Sequence, residues 1–132
     1  MNLATLEPGQ PLFNLKMVVT ADKVRAYLVA VEDDDQIYGE EKLAPPMAVV
    51  ALVMGMAIRA VNLPAGAVHT GQELEFIAPV PLGSELECGA TVSHNSVRGS
   101  TRFLVLQITG AIENQLAMLG RVSIAITEEK EK

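Results

Sequence analysis

Pro45-Pro46-Met47-Ala48-Val49-Val50-Ala51-Leu52-Val53-Met54-Gly55-Met56-Ala57-Ile58-Arg59-Ala60-Val61 is the stretch that decides the fold. Two prolines halt whatever precedes them, and proline is tolerated in a first helical turn, where its missing N–H has no intrahelical partner. From Met47 onward the residues are small and apolar, with Arg59 the single charge. A helix that is apolar all round is expected to be buried all round. Asn62, Pro64 and Gly66 end it. The apolar run from Leu43 to Ile58 is too short, and too rich in Ala, Gly and Pro, to span a membrane.

Working outward, the pattern downstream changes to period two and stays there. Ala67 to Ala78 ends with Leu74, Phe76 and Ala78 against Glu73 and Glu75. Pro79 to Gly83 is a turn. Glu85 to His94 sets Leu86, Cys88, Ala90 and Val92 against Glu85, Glu87, Thr91 and Ser93. Asn95 to Ser100 reads as a turn through Gly99. Thr101 to Ile112 is apolar on both faces, Glu113-Asn114 turns, and Ala117 to Thr127 closes the series. Upstream, Phe13 to Val19 reads as a strand. Thr20 then caps a helix whose face is Val24, Tyr27, Leu28 and Val31. Residues 1–11 read as an irregular arm, 33–44 as a loop and 128–132 as a charged, frayed tail. The whole is read as one α+β domain over 1–132: a central buried helix, about 45–61, in the curve of an antiparallel sheet. Such a sheet cannot close on itself, so an edge is left for a second subunit.

Composition removes several function classes. The chain has 132 residues and a net charge of −6, the wrong sign for phosphate-rich nucleic acid. Cys88 is the only cysteine and there are two histidines, so no Cys or His metal constellation is expected. Residues 1–12 lack a basic and then apolar leader, which points to a cytoplasmic location. Hydrophobic residues reach 49% with only 4% aromatics. A surplus of that kind is commonly covered in an oligomer interface.

Two stretches carry a resemblance to a known family. AVEDDDQIY (30–38) is similar to the G-D-x-N-P-x-H of the MaoC-like hotdog proteins, the (R)-specific enoyl-CoA hydratases and 3-hydroxyacyl dehydratases. LAPPM (43–47) stands where catalytic members read A-H-G-M. HTGQELEF (69–76) and PLGSEL (81–86) resemble the family's H-x-x-Q-x-F-x-F strand and P-L-x-x-G-D-x-L turn. The resemblance implies a hotdog fold and an acyl thioester, on CoA or acyl carrier protein, as substrate or ligand with no other cofactor. It places Asp33 on the catalytic aspartate and Tyr38 on the catalytic histidine. Pro46 falls on the glycine whose N–H meets the thioester oxygen. It also marks Pro45, Pro46, Met47 and His69 as substrate-binding.

The departures matter chemically. An unperturbed tyrosine, with a pKa near 10, is a poor acid–base group at pH 7, whereas histidine is well suited. Proline has no N–H to offer an oxyanion. The Asp, Tyr and Ala-Pro-Pro combination is similar to the non-catalytic half of paired dehydratases, including the FAS1-like dehydratase domain. It implies a homodimer, or a heterodimer with a second hotdog subunit carrying Asp and His. Two rivals stand beside it: a self-sufficient hydratase or thioesterase, and a non-enzymatic binding or assembly module.

Plainer roles compete at each position. Asp33 lies in an acidic run of the solvated kind, Tyr38 fits simple packing, and His69 fits a structural strand-entry residue. Cys88 reads as an inert core thiol and His94 as exposed. Met47, Met54 and Met56 read first as core, and Arg98 and Arg102 as solvated, though placed to meet CoA phosphates.

Overall fold

The computed structural model describes residues 3–30 and 42–127. A single turn of 3-10 helix, Leu3–Thr5, leads to β1 (Pro11–Val18) and α1 (Ala21–Ala30). Helix α2 is Pro46–Val61. It is followed by β2 (Val68–Phe76), β3 (Glu85–Arg98), β4 (Thr101–Ile112) and β5 (Gln115–Thr127). The five strands form one sheet in the order β1-β3-β4-β5-β2, each neighbour antiparallel. The strands flanking the helices in sequence thus become the two edges of the sheet.

Local chemistry explains the connections. Glu113 and Asn114 both have positive φ, 50° and 66°, the two-residue hairpin geometry that suits the twist of β4 and β5. Gly99, at φ 61°, turns β3 into β4. Thr20 Oγ1 accepts the Lys23 N–H at 3.2 Å and caps α1 as its sequence predicts.

The core lies between α2 and one face of the sheet. Leu86, Cys88, Ala90 and Val92 of β3, Leu104, Leu106 and Ile108 of β4, and Met118, Val122, Ile124 and Ile126 of β5 are all buried. From α2, Val49, Val53, Ala57 and Val61 form a buried row spaced by four, with Ala48 and Val50 beside it. Glycine lets the strands pack tightly beneath. A Cβ on Gly120 would come within 3.0 Å of both Ile108 and Leu74. This is the predicted antiparallel sheet curved around a central helix, the hotdog arrangement, in the α+β class.

Two expectations need correction. The helix is not buried all round: Met47 (43%), Ala51 and Ile58 (40%) form an exposed stripe. The sheet covers one side of α2 and α1 part of another, and apolar composition alone does not say which side has no cover. The second concerns β3, which runs on to Arg98 instead of turning at Asn95. A register shift between Val92 and His94 lets the strand continue through Ser93, His94, Asn95 and Ser96, where apolar alternation is absent. His94 is exposed as expected, but on the strand.

Candidate functional site at the start of the central helix

Pro45 is the N-cap of α2, at φ −56° and ψ 136°, and no side chain caps this end. Pro46 is the first helical residue. Ala48 N–H donates to Pro45 O at 2.9 Å and Val49 N–H reaches the same oxygen at 3.3 Å. Pro46 has no N–H. Met47 N–H is therefore the first-turn donor that takes no backbone partner among the described residues.

This end is held in place from outside the helix. Ala44 N–H donates to Val80 O and Leu82 N–H to Lys42 O, each at 2.8 Å, around a bridge between Leu43 and Pro81. The chain leaving β2 is tied to β5 in turn, with Ile77 N–H and Ala78 N–H donating to Ala117 O at 2.8 and 3.2 Å. Three segments far apart in sequence thus meet at the N-terminus of α2. Between them lies a cavity of about 180 Å³, lined by Leu43, Pro46, Val49, Phe76, Val80 and Met118 among others. Every described residue lining it is apolar. Such a cavity suits an alkyl group, at ~0.8 kcal/mol per methylene buried, and no acid or base lines it among the described residues.

The predicted site residues fall out as follows. Pro46 lines the cavity, Pro45 is buried beside it, and Met47 is exposed and does not line it. His69 is exposed at the opposite end of β2 from Phe76, roughly 20 Å along the strand. Its Nε2 lies 2.9 Å from Gly71 O, at the register shift in β2. The structure does not bring His69 to the cavity within one chain. Asp33 and Tyr38 lie outside the described residues. Phe76, Val80 and Met118 were not singled out by the sequence. The local signals near them were the HTGQELEF stretch, which ends on Phe76, and the Pro79-Val80-Pro81 turn.

Other candidates resolve into structure. Arg102 is buried instead of solvated, and its Nη1 donates to Asn95 Oδ1 at 2.7 Å. Asn95 Nδ2 donates in turn to Leu3 O and Leu6 O, both at 2.8 Å, so this network fastens the N-terminal arm to the sheet. Arg98 is exposed. Burial pushes the Cys88 thiol up to about 11, with Lys23 opposing slightly, so it remains a protonated, unreactive thiol near neutral pH. No cluster of metal-ligating side chains occurs among the described residues. Nor is any described helix long and apolar enough to cross a membrane. A wider depression of about 520 Å³ lies on the sheet face away from α2, around Gly89, Thr91, Gln107 and Thr109. It is open to solvent, with Asn14, Glu87, Gln107 and Thr109 set among apolar residues, and encloses an acyl group less well.

Comparison with known proteins agrees with this geometry. The sequence matches the family model described as FAS1-like, dehydratase domain region, over residues 7–116. No curated protein matches it. Among solved structures, a MaoC-like dehydratase from Rhodospirillum rubrum superposes with a TM-score of 0.77 at 18% identity, covering 99% of both chains. An (R)-hydratase from A. caviae involved in PHA biosynthesis gives 0.73 at 21% identity, covering 92% of this chain and 98% of that one. A C-terminally truncated HadBC (3R-hydroxyacyl-ACP dehydratase) complex from Mycobacterium tuberculosis gives 0.67 at 16% identity, covering 90% and 98%. Likeness at these identities shows a shared fold.

Proposed function

The chain belongs to the FAS1-like dehydratase-domain family, and on that premise we propose that it is an acyl-thioester-binding hotdog subunit whose partner supplies the chemistry. The observation that carries this reading is the all-apolar cavity beside Pro46. A competent hydratase needs a carbonyl donor and an acid–base group at this point. Here the donor position is a proline and the histidine position of the family is Tyr38. What remains is a place for an acyl chain, with Met47 N–H as the remaining backbone donor toward a thioester oxygen.

In this reading Pro45, Pro46 and Met47 shape the acyl mouth. His69, on the edge strand, faces across the seam to the partner's half of the assembly. Asp33 and Tyr38 approach the thioester as hydrogen-bonding groups and not as the proton-transfer pair. The partner is a second hotdog subunit bearing Asp and His. It joins along β2, where Val68 and Phe76, with Ile77 just beyond, are exposed, and against the Met47–Ile58 stripe of α2. That HadBC is a complex supports a paired arrangement.

The experiment is a calorimetric titration of the purified protein with CoA, butyryl-CoA and octanoyl-CoA. Affinity is expected to rise with chain length until the cavity is full, on the order of fourfold per added methylene. Equal affinity for CoA and its acyl derivatives, with or without a partner, would remove the acyl-binding reading.

A further inference from the structure

Edge strand β2 carries a charge pattern that bears on who covers it. In the β2–β5 register, Glu73 stands opposite Arg121 and Glu75 opposite Leu119. Gln72, Leu74 and Phe76 stand opposite Val122, Gly120 and Met118, which are buried toward α2. Side chains alternate, so Glu73 and Glu75 both project from the face away from the helix. Both are exposed, and neither makes an ion pair with a described residue. The seam therefore carries Gln72, Leu74 and Phe76 toward the helix and two negative charges on its outer face.

We propose that the β2 edge selects a hotdog partner whose facing strand carries Lys or Arg, and disfavours a second copy of this chain. The proposal rests on the reading above that β2 is the seam. Its basis is the symmetry of self-pairing. Two copies joined antiparallel are related by a two-fold axis, so each outer side chain meets outer side chains of the same strand. With the axis at Gln72, the two copies of Glu73 are diagonal neighbours. With the axis at Glu73 or Glu75, that glutamate faces its own copy. With the axis at Leu74, Glu73 and Glu75 face each other twice.

Facing Cβ atoms are about 5 Å apart and diagonal ones about 7–8 Å, inside the Debye length of ~8 Å at physiological salt. With the axis at Glu73, Leu74 or Glu75 the register gathers four carboxylates against the two guanidiniums of Arg121, and with it at Gln72 the two Glu73 carboxylates still meet diagonally. A strand with Lys or Arg at the facing positions turns each repulsion into attraction and fixes the register as well. The other edge does not supply those cations from a second copy. The β1 lysine, Lys16, already pairs with Glu85 at 3.6 Å.

The test uses the chain itself as a stand-in for a basic-edged partner. Wild type, the E73Q/E75Q variant, and a mass-tagged E73K/E75K variant are examined alone and mixed, by native mass spectrometry and light scattering across 50–500 mM NaCl. These positions are exposed, so the variants are expected to fold. Wild type alone is expected to dimerise weakly and more tightly as salt rises. E73Q/E75Q should dimerise at least about tenfold more tightly than wild type. Mixed wild type and E73K/E75K should form the heterodimer well above its statistical half share, with that excess lost at high salt. A statistical mixture, or a wild-type dimer indifferent to salt and to the Gln variant, overturns the charge-selection proposal while leaving β2 as the seam. Absence of any dimer in every mixture overturns both this proposal and the partner seam beneath it. The acyl-CoA titration is unaffected by either outcome.

Discussion

The two ends of α2 are built on different terms. At the C-terminal end Asn62 adopts the left-handed conformation, φ 50° and ψ 62°, and its N–H closes on Ile58 O at 3.1 Å. Arg59 sits in the last turn, where a cation suits the helix dipole. At the N-terminal end there is no side-chain cap, two prolines stand in its place, and an apolar cavity adjoins the first turn. Helix α1 shows that this fold does use an ordinary N-cap elsewhere, with Thr20. One end of α2 is finished by its own cap and the other ends uncapped beside an apolar cavity. Stiff proline backbone and the 42–44 to 80–82 bridge hold the open end.

Substitutions at the two ends should separate binding from stability. The largest effect is expected from Ala78→Trp, which places a large ring at the exposed rim of the cavity. Excluding three methylenes forfeits ~2.4 kcal/mol, so octanoyl-CoA affinity in calorimetry should fall on the order of fiftyfold. Urea unfolding should barely move. Unchanged affinity would mean that the acyl group lies elsewhere. Next comes Asn62→Val at the closed end. Forcing a β-branched residue into the left-handed region should cost ~1–2 kcal/mol in urea unfolding, with acyl affinity intact. A loss of affinity here would erase the distinction between the ends.

Thr20→Ala tests the capped helix and should cost about 1 kcal/mol. The smallest change is expected from Pro46→Gly. It frees the backbone of the unfolded chain and should lower stability by ~0.5–1 kcal/mol. It also restores an N–H at the mouth, so acyl-thioester affinity should hold or rise while stability falls. A drop in both would show that Pro46 serves the fold alone.

The fold was legible because its signals were local and strong. The 46–61 helix was marked by proline at its start and Asn62 at its end, β4 by a run apolar on both faces, and β5 by alternation after the Glu113-Asn114 turn. The later part of β3 was not legible, because Ser93 to Ser96 carries no apolar alternation and the register shift that admits it depends on β4. The exposed stripe on α2 was hidden for a different reason: Met47 and Ile58 are as apolar as their buried neighbours, and only tertiary packing distinguishes core from exposed surface. The cavity was least legible. Leu43 to Val49, Phe76 to Val80 and Ala117-Met118 come together through hydrogen bonds between backbone atoms, which side-chain patterns do not record. Arg102 was misread because a charge beside a turn is normally solvated, while here Asn95 and the N-terminal arm enclose it.

The most direct test of the account is the hydration of crotonyl-CoA by the purified chain, measured alone and again with any hotdog protein captured with it from the native host. Losing an oxyanion donor costs about a hundredfold to a thousandfold, and losing the acid–base group about a hundredfold to ten-thousandfold. Such losses do not add cleanly within one site, yet either is large. The account predicts turnover near background for the chain alone and full turnover once an Asp- and His-bearing partner is present. Ordinary hydratase turnover by the homo-oligomer, abolished by Asp33→Asn, would contradict it.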